Sequence, residues 1–185
     1  MTRARTHAAV LLATLAIAAA AHAQEVVPPS APIDFSLEET SGQTRTMREV
    51  RGRVVVIFYE DREHTDLNRE FKMTLHQFIT DNQLRDQTTT YAVANVSSIS
   101  GGVMRDMART AIRAIASQYG IQLLLDWDHT LEAAPLSMRD GAANLALVDR
   151  AGRVRWRHTG AIGEPERRSF FRAFRQLLRE PTPTP

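Results

Sequence analysis

Apolar and polar positions alternate along this chain in a way that defines most of its elements. Residues 54–59 form an unbroken β-branched and aromatic run that turns at Glu60 into a polar loop. A run without polar alternation predicts a strand buried on both faces, at the centre of a mostly parallel sheet. Before it, residues 33–37 alternate as a half-buried strand does, 38–43 read as a turn, and 44–47 return as the second arm of a hairpin. After it, Leu67, Phe71, Leu75, Phe78 and Ile79 recur at helical spacing. They predict a helix from Thr65 or Asp66 to Ile79, with the Thr65 hydroxyl as cap and Arg69, Glu70, Lys72 and Gln77 on its outer face.

The same reading continues to the C-terminus. Residues 88–96 predict a strand and 97–102 a flexible loop. A second helix over 103–119 is expected to bury Met104, Met107, Ala111, Ile112, Ile115 and Tyr119, with Gly120 as its cap. Residues 121–125 predict a short strand, 130–138 a short helix interrupted near Pro135, and 144–148 another apolar strand. A turn over 149–152 leads into the alternating strand 154–158. The last helix begins near Pro165 and buries Phe170, Phe171, Phe174, Leu177 and Leu178, and the proline-rich tail 181–185 cannot extend it.

The N-terminal residues have a different pattern, that of a secretory leader. Arg3 and Arg5 precede an alanine-dominated apolar segment, and Ala21 and Ala23 supply small residues at a cleavage position. Residues 1–23 are therefore expected to be a signal peptide, with an uncleaved anchor as the alternative. Residues 24–32, rich in proline, read as a linker to a domain spanning 33–180. The expected address is the periplasm or the exterior, without stable membrane insertion after cleavage.

Charge adds little to this picture once the leader is set aside. The chain carries a formal net charge of +2, and removing Arg3 and Arg5 leaves basic residues equal in number to the 21 acidic ones. No electrostatic argument for nucleic acid as a partner remains. The absence of cysteine is more decisive, because it excludes disulfides, thiolate nucleophiles and redox thiol chemistry. Lys72 is the only lysine among many arginines, a compositional bias to which no mechanism attaches.

Candidate chemistry gathers where the central strand ends. Glu60, Asp61, Glu63, His64 and Asp66 share one loop, and Asp126, Asp128 and His129 follow a later strand. Carboxylates and imidazole on one rim could hold a divalent cation or share a proton, although their spacing matches no established metal loop and no cofactor is implied. A solvated acidic rim is the competing reading. Arg168, Arg172, Arg175 and Arg179 recur along one face of the last helix, and Arg105, Arg109 and Arg113 along the second. Each set could meet an anionic partner or simply face water.

The order of elements and the local wording resemble the redoxin branch of the thioredoxin-like superfamily. Asp34-Phe35-x-Leu37 with Gly42 downstream, followed by the run from Gly52 to Tyr59, resembles the opening of peroxiredoxins and periplasmic thiol-disulfide proteins. Leu147-Val148-Asp149-Arg150-Ala151-Gly152-Arg153-Val154 resembles the hairpin near the end of that family. The resemblance implies a thioredoxin-like three-layer α/β/α sandwich with a mixed central sheet and an N-terminal β-hairpin. By family spacing, the two thioredoxin cysteines would stand at Glu63 and Asp66. The peroxiredoxin threonine and cysteine would fall near His64 and Leu67. Ala143 occupies the place of the family's cis-proline, so an ordinary trans bond is expected there. A redoxin scaffold without its thiols implies a non-catalytic module that binds a periplasmic protein or a small ligand through Glu60, Asp61, Glu63, His64, Asp66 and Ala143. A metal-dependent or acid-base enzyme using the same loop is the alternative.

Overall fold

The computed structural model describes residues 31–119, Tyr119 by its backbone alone, and residues 122–182. The expected leader, most of the linker, the Gly120 cap, Ile121 and residues 183–185 lie outside the described residues. Among the described residues there are seven strands: β1 (Ser36–Glu39), β2 (Thr44–Thr46), β3 (Val54–Glu60), β4 (Thr88–Asn95), β5 (Leu123–Asp126), β6 (Asn144–Val148) and β7 (Val154–Thr159). Three α-helices accompany them: α1 (Arg69–Asp81), α2 (Gly102–Tyr119) and α3 (Glu164–Arg179).

The strands form one mixed sheet in the order β2-β1-β5-β4-β3-β6-β7. β3 lies in the interior of the sheet beside the middle strand β4, parallel to β4 and antiparallel to β6, so the sheet is mixed rather than mostly parallel as expected, and all β3 residues are buried as an apolar run demands. Aligned residues of neighbouring strands share a face, so Val54, Val56 and Phe58 of β3 join Leu145, Leu147 and Trp156 against Phe71, Leu75, Phe170, Phe174 and Leu177 of α1 and α3. Ala94 and Leu125 carry the same face on to Ala108 and Ile112 of α2. Val55, Ile57 and Tyr59 face the opposite way, toward Phe35, Met47, Leu131, Leu136 and Met138. That third layer consists of the 3-10 turns Met47–Val50 and Thr130–Glu132 and the segment between Glu132 and β6.

The hairpin between β6 and β7 shows why its residues read as a motif. Asp149 Oδ1 accepts the backbone N–H groups of Ala151 (3.0 Å) and Arg153 (2.8 Å), which sets the turn. Gly152 has φ +80° and lies where a Cβ would collide with the Arg51 guanidinium. That guanidinium donates to the carbonyls of Ala151 and Ile33, tying the start of the domain to the hairpin.

Several expectations are corrected by the structure. Helix α1 begins at Arg69 rather than at Thr65 or Asp66, because the preceding residues fold into consecutive turns instead. Thr65 spends its hydroxyl on the carbonyl of Asp61 (2.9 Å) rather than on a helix N–H, and Leu67 stands in water off the buried stripe. The segment 130–138 is helical only over Thr130–Glu132.

The largest correction concerns α2. Met104, Met107, Ala111 and Ile115 are exposed, whereas Arg105, Ala108, Arg109, Ile112 and Ala116 face the domain. The Arg105 and Arg109 guanidinium groups lie 5.4 and 5.8 Å from the Trp127 ring centroid. Arg109 also donates to Glu38 (3.1 Å) and Arg105 to Asp128 (3.1 Å), so their charges are paired and their stems cover the tryptophan.

Candidate functional site at the end of the central strand

In a sheet of this topology the carboxyl ends of the parallel strands form one rim, where loops meet without helical cover. Here the rim is built from Glu60 and the turns after it, Asn95 at the end of β4, and Asp126 at the end of β5. Asn144 braces it from β6, since its side chain donates to the carbonyls of Arg139 (2.8 Å) and Ala142 (3.0 Å) and accepts from Arg139 N–H and the Thr159 hydroxyl. Asn68 braces it from the other side, donating to the Gly160 carbonyl (3.0 Å) and accepting the Ile162 N–H (2.9 Å). Asparagine suits both places because one planar side chain donates and accepts together.

The residues expected in the site divide into a buried pair and an exposed turn. Glu60 and Ala143 are buried, and the Ala143 carbonyl accepts the Gly160 N–H (2.8 Å). The peptide bond before Ala143 is trans; the cis bond among the described residues is Ala134–Pro135. Asp61 organises the turn, its Oδ1 accepting the N–H groups of Glu63 and His64 (both 3.0 Å) and meeting His64 Nδ1 at 2.6 Å. Asp66 pairs with Arg69 (2.6 Å), while Glu63 is exposed. The carboxylates of the loop thus point in separate directions. Among the described residues no three His, Asp or Glu side chains converge as a cation site.

Glu60 has a partner that helical periodicity placed on the outer face of α1. The side chain of Lys72 turns back over the Phe58 ring, 5.5 Å from its centroid, and donates to Glu60 Oε2 and to the Thr65 carbonyl (2.8 Å). Glu60 is 8% exposed, and its Oε1 is buried without a hydrogen-bond partner. Burial raises the Glu60 pKa above the ordinary carboxylate range, only partly opposed by the hydrogen bond and charge of Lys72. The one cue in the sequence was that the chain's only lysine falls on the helix following the strand.

A second network lies on the opposite face of β3, and periodicity gave no sign of it. The buried Tyr59 hydroxyl donates to Glu132 Oε1 (2.9 Å), which also meets His129 Nδ1 at 2.6 Å. The Glu132 hydrogen bond raises the His129 pKa, and burial raises that of Tyr59. Asp126 serves the backbone in this geometry. Its buried carboxylate accepts the N–H groups of Thr130 and Leu131 (both 2.9 Å) and so holds the 3-10 turn that presents Glu132. Away from the rim, an open groove of about 940 Å³ follows α3, lined by Arg168, Arg172, Arg175 and Arg179.

Sheet order, crossovers and hairpins together define a thioredoxin-like α/β fold. Solved structures agree on the fold. A thiol:disulfide interchange protein of the thioredoxin family from Chlorobium tepidum superposes with a TM-score of 0.58 at 13% identity, covering 82% of this chain and 98% of its own. A DsbF homologue from Corynebacterium diphtheriae gives 0.59 at 12%, covering 80% and 87% respectively. The exposed lipoprotein thioredoxin of Streptococcus pneumoniae gives 0.56 at 14%, covering 78% and 100%. At these identities the likeness is one of fold alone. No protein-family description matches the chain, and no curated protein matches it either.

Proposed function

We propose that this chain is an exported thioredoxin-like module that binds a protein or small ligand at the carboxyl rim of β3 without catalysing thiol chemistry. The observation that carries the reading is the rim itself. Glu63 and Asp66 are solvated carboxylates on a turn fixed by Asp61, and the scaffold that would support a reactive pair is retained around them. Export is supported by the charged, apolar and small-residue sequence of the first 23 residues, and no described helix is long and apolar enough to cross a membrane.

Affinity capture from the native cell envelope tests the binding reading. Protein purified after expression of the full chain is expected to retain a partner that the Glu63→Ala/Asp66→Ala variant releases, with both proteins folding alike because both side chains are exposed. Equal capture by the two proteins would overturn the assignment of the rim. Peroxide or disulfide turnover by the purified protein would overturn the non-catalytic reading.

The acid-base alternative has one observation in its favour, the buried Glu60 with its raised pKa and unpartnered oxygen. An enzyme of that kind would lose turnover in Glu60→Gln, whereas a binding rim built on Glu63 and Asp66 would keep its partner.

A further inference from the structure

Most of the large apolar side chains that stand in water lie on one helix. Val103, Met104, Met107 and Ile115 of α2 are 75, 56, 63 and 55% exposed, and Ala111 and Ala114 between them are exposed as well. The domain-facing side of the helix is occupied by Arg105, Arg109 and Ile112, so this stripe is not the inner face of a displaced helix. A contiguous apolar strip of this kind marks an interaction surface. Positions 104, 107, 111 and 114 follow the alternating three- and four-residue spacing of a helix–helix seam.

We propose that the occupant is the same helix of a second copy, packed antiparallel about a two-fold axis near position 109. That register sets Val103 against Ile115, Met104 against Ala114 and Met107 against Ala111 of the other copy. Each apolar side chain meets an apolar one, and each methionine meets an alanine, as interdigitated packing requires. An isologous contact demands a self-complementary patch, and this stripe is one. A single helix pair of about 27 Å buries less than a standard interface of about 1,600 Å², the size range of reversible association.

Sedimentation velocity over a concentration series, on protein purified after expression of the full chain, tests this without reference to the rim. The wild type is expected to pass from monomer to dimer as concentration rises, and Met107→Glu to remain monomeric with unchanged circular dichroism and melting temperature. Ala111→Glu, at the position that this register sets against Met107, is expected to do the same. A wild type that stays monomeric throughout, or a dimer that survives either substitution, would overturn the proposal.

Discussion

Lys72 and Glu60 show how one side chain changes the meaning of a site. Position in the chain was enough to place Glu60 at the end of the central strand, but its state depends on a group that helical periodicity assigns to the solvent. The butyl stem of Lys72 is long enough to lie along Phe58 and return its charge to the strand end, which a face assignment made from Cβ positions cannot anticipate. Replacing Lys72 with methionine keeps that stem but leaves a buried carboxylate without its cation. Lys72→Met is therefore expected to cost about 2–4 kcal/mol at neutral pH, somewhat under the full buried-pair value because Lys72 retains some contact with water. Denaturant titration checks this. The added change Glu60→Gln in the Lys72→Met background is expected to recover most of the loss, and a loss that persists would assign the role of Lys72 to packing.

At the scale of elements, α1 and α3 were legible because each carries one aromatic stripe against a charged remainder. Helix α2 was not, because it carries two candidate stripes of the same period, one broad and apolar through Met104, Met107, Ala111 and Ile115, the other narrow through Ala108, Ile112 and Ala116. A helical period identifies that a face exists and is silent on which of two faces meets the sheet. Trp127 decides it here, since its ring is covered by arginine stems and its indole N–H reaches Glu38 (3.2 Å), a carboxylate that Arg109 also binds. The arginines of the two helices should then respond differently to truncation. Arg109→Ala is expected to cost about 1–3 kcal/mol, from the bared tryptophan and the partner lost by Glu38, and Arg172→Ala on the exposed face of α3 to stay within about 0.5 kcal/mol. Thermal or urea unfolding of the two variants measures the difference, and equal effects would contradict the observed rotation of α2.

For the molecule as a whole, the connection order was readable because the hairpins and the apolar strand each announce themselves locally, and a mixed sheet with short connections admits few arrangements of such elements. The turns over residues 61–68 were less readable, because Asp61 and Thr65 bond to nearby backbone and so compete with the helix that periodicity extends to them. Those turns bear on a property of the entire fold, its dependence on pH. Most carboxylates of a native protein are stabilised in ionised form and are lost to acid, but Glu60 has its pKa raised by burial and works in the opposite sense. Below the ordinary carboxylate range both folded and unfolded chains hold the proton, and Glu60 costs nothing. As pH rises above that range, the unfolded chain releases the proton first while the native protein still holds it, so stability falls until pH passes the raised native value. Beyond that point both forms are ionised and the loss is complete. The unfolding free energy of the wild type relative to Glu60→Gln is therefore expected to fall from about pH 4 upward and then level, read from urea midpoints across that range. A difference that instead grew with pH would show that the Lys72 charge outweighs burial and that folding lowers the Glu60 pKa instead of raising it.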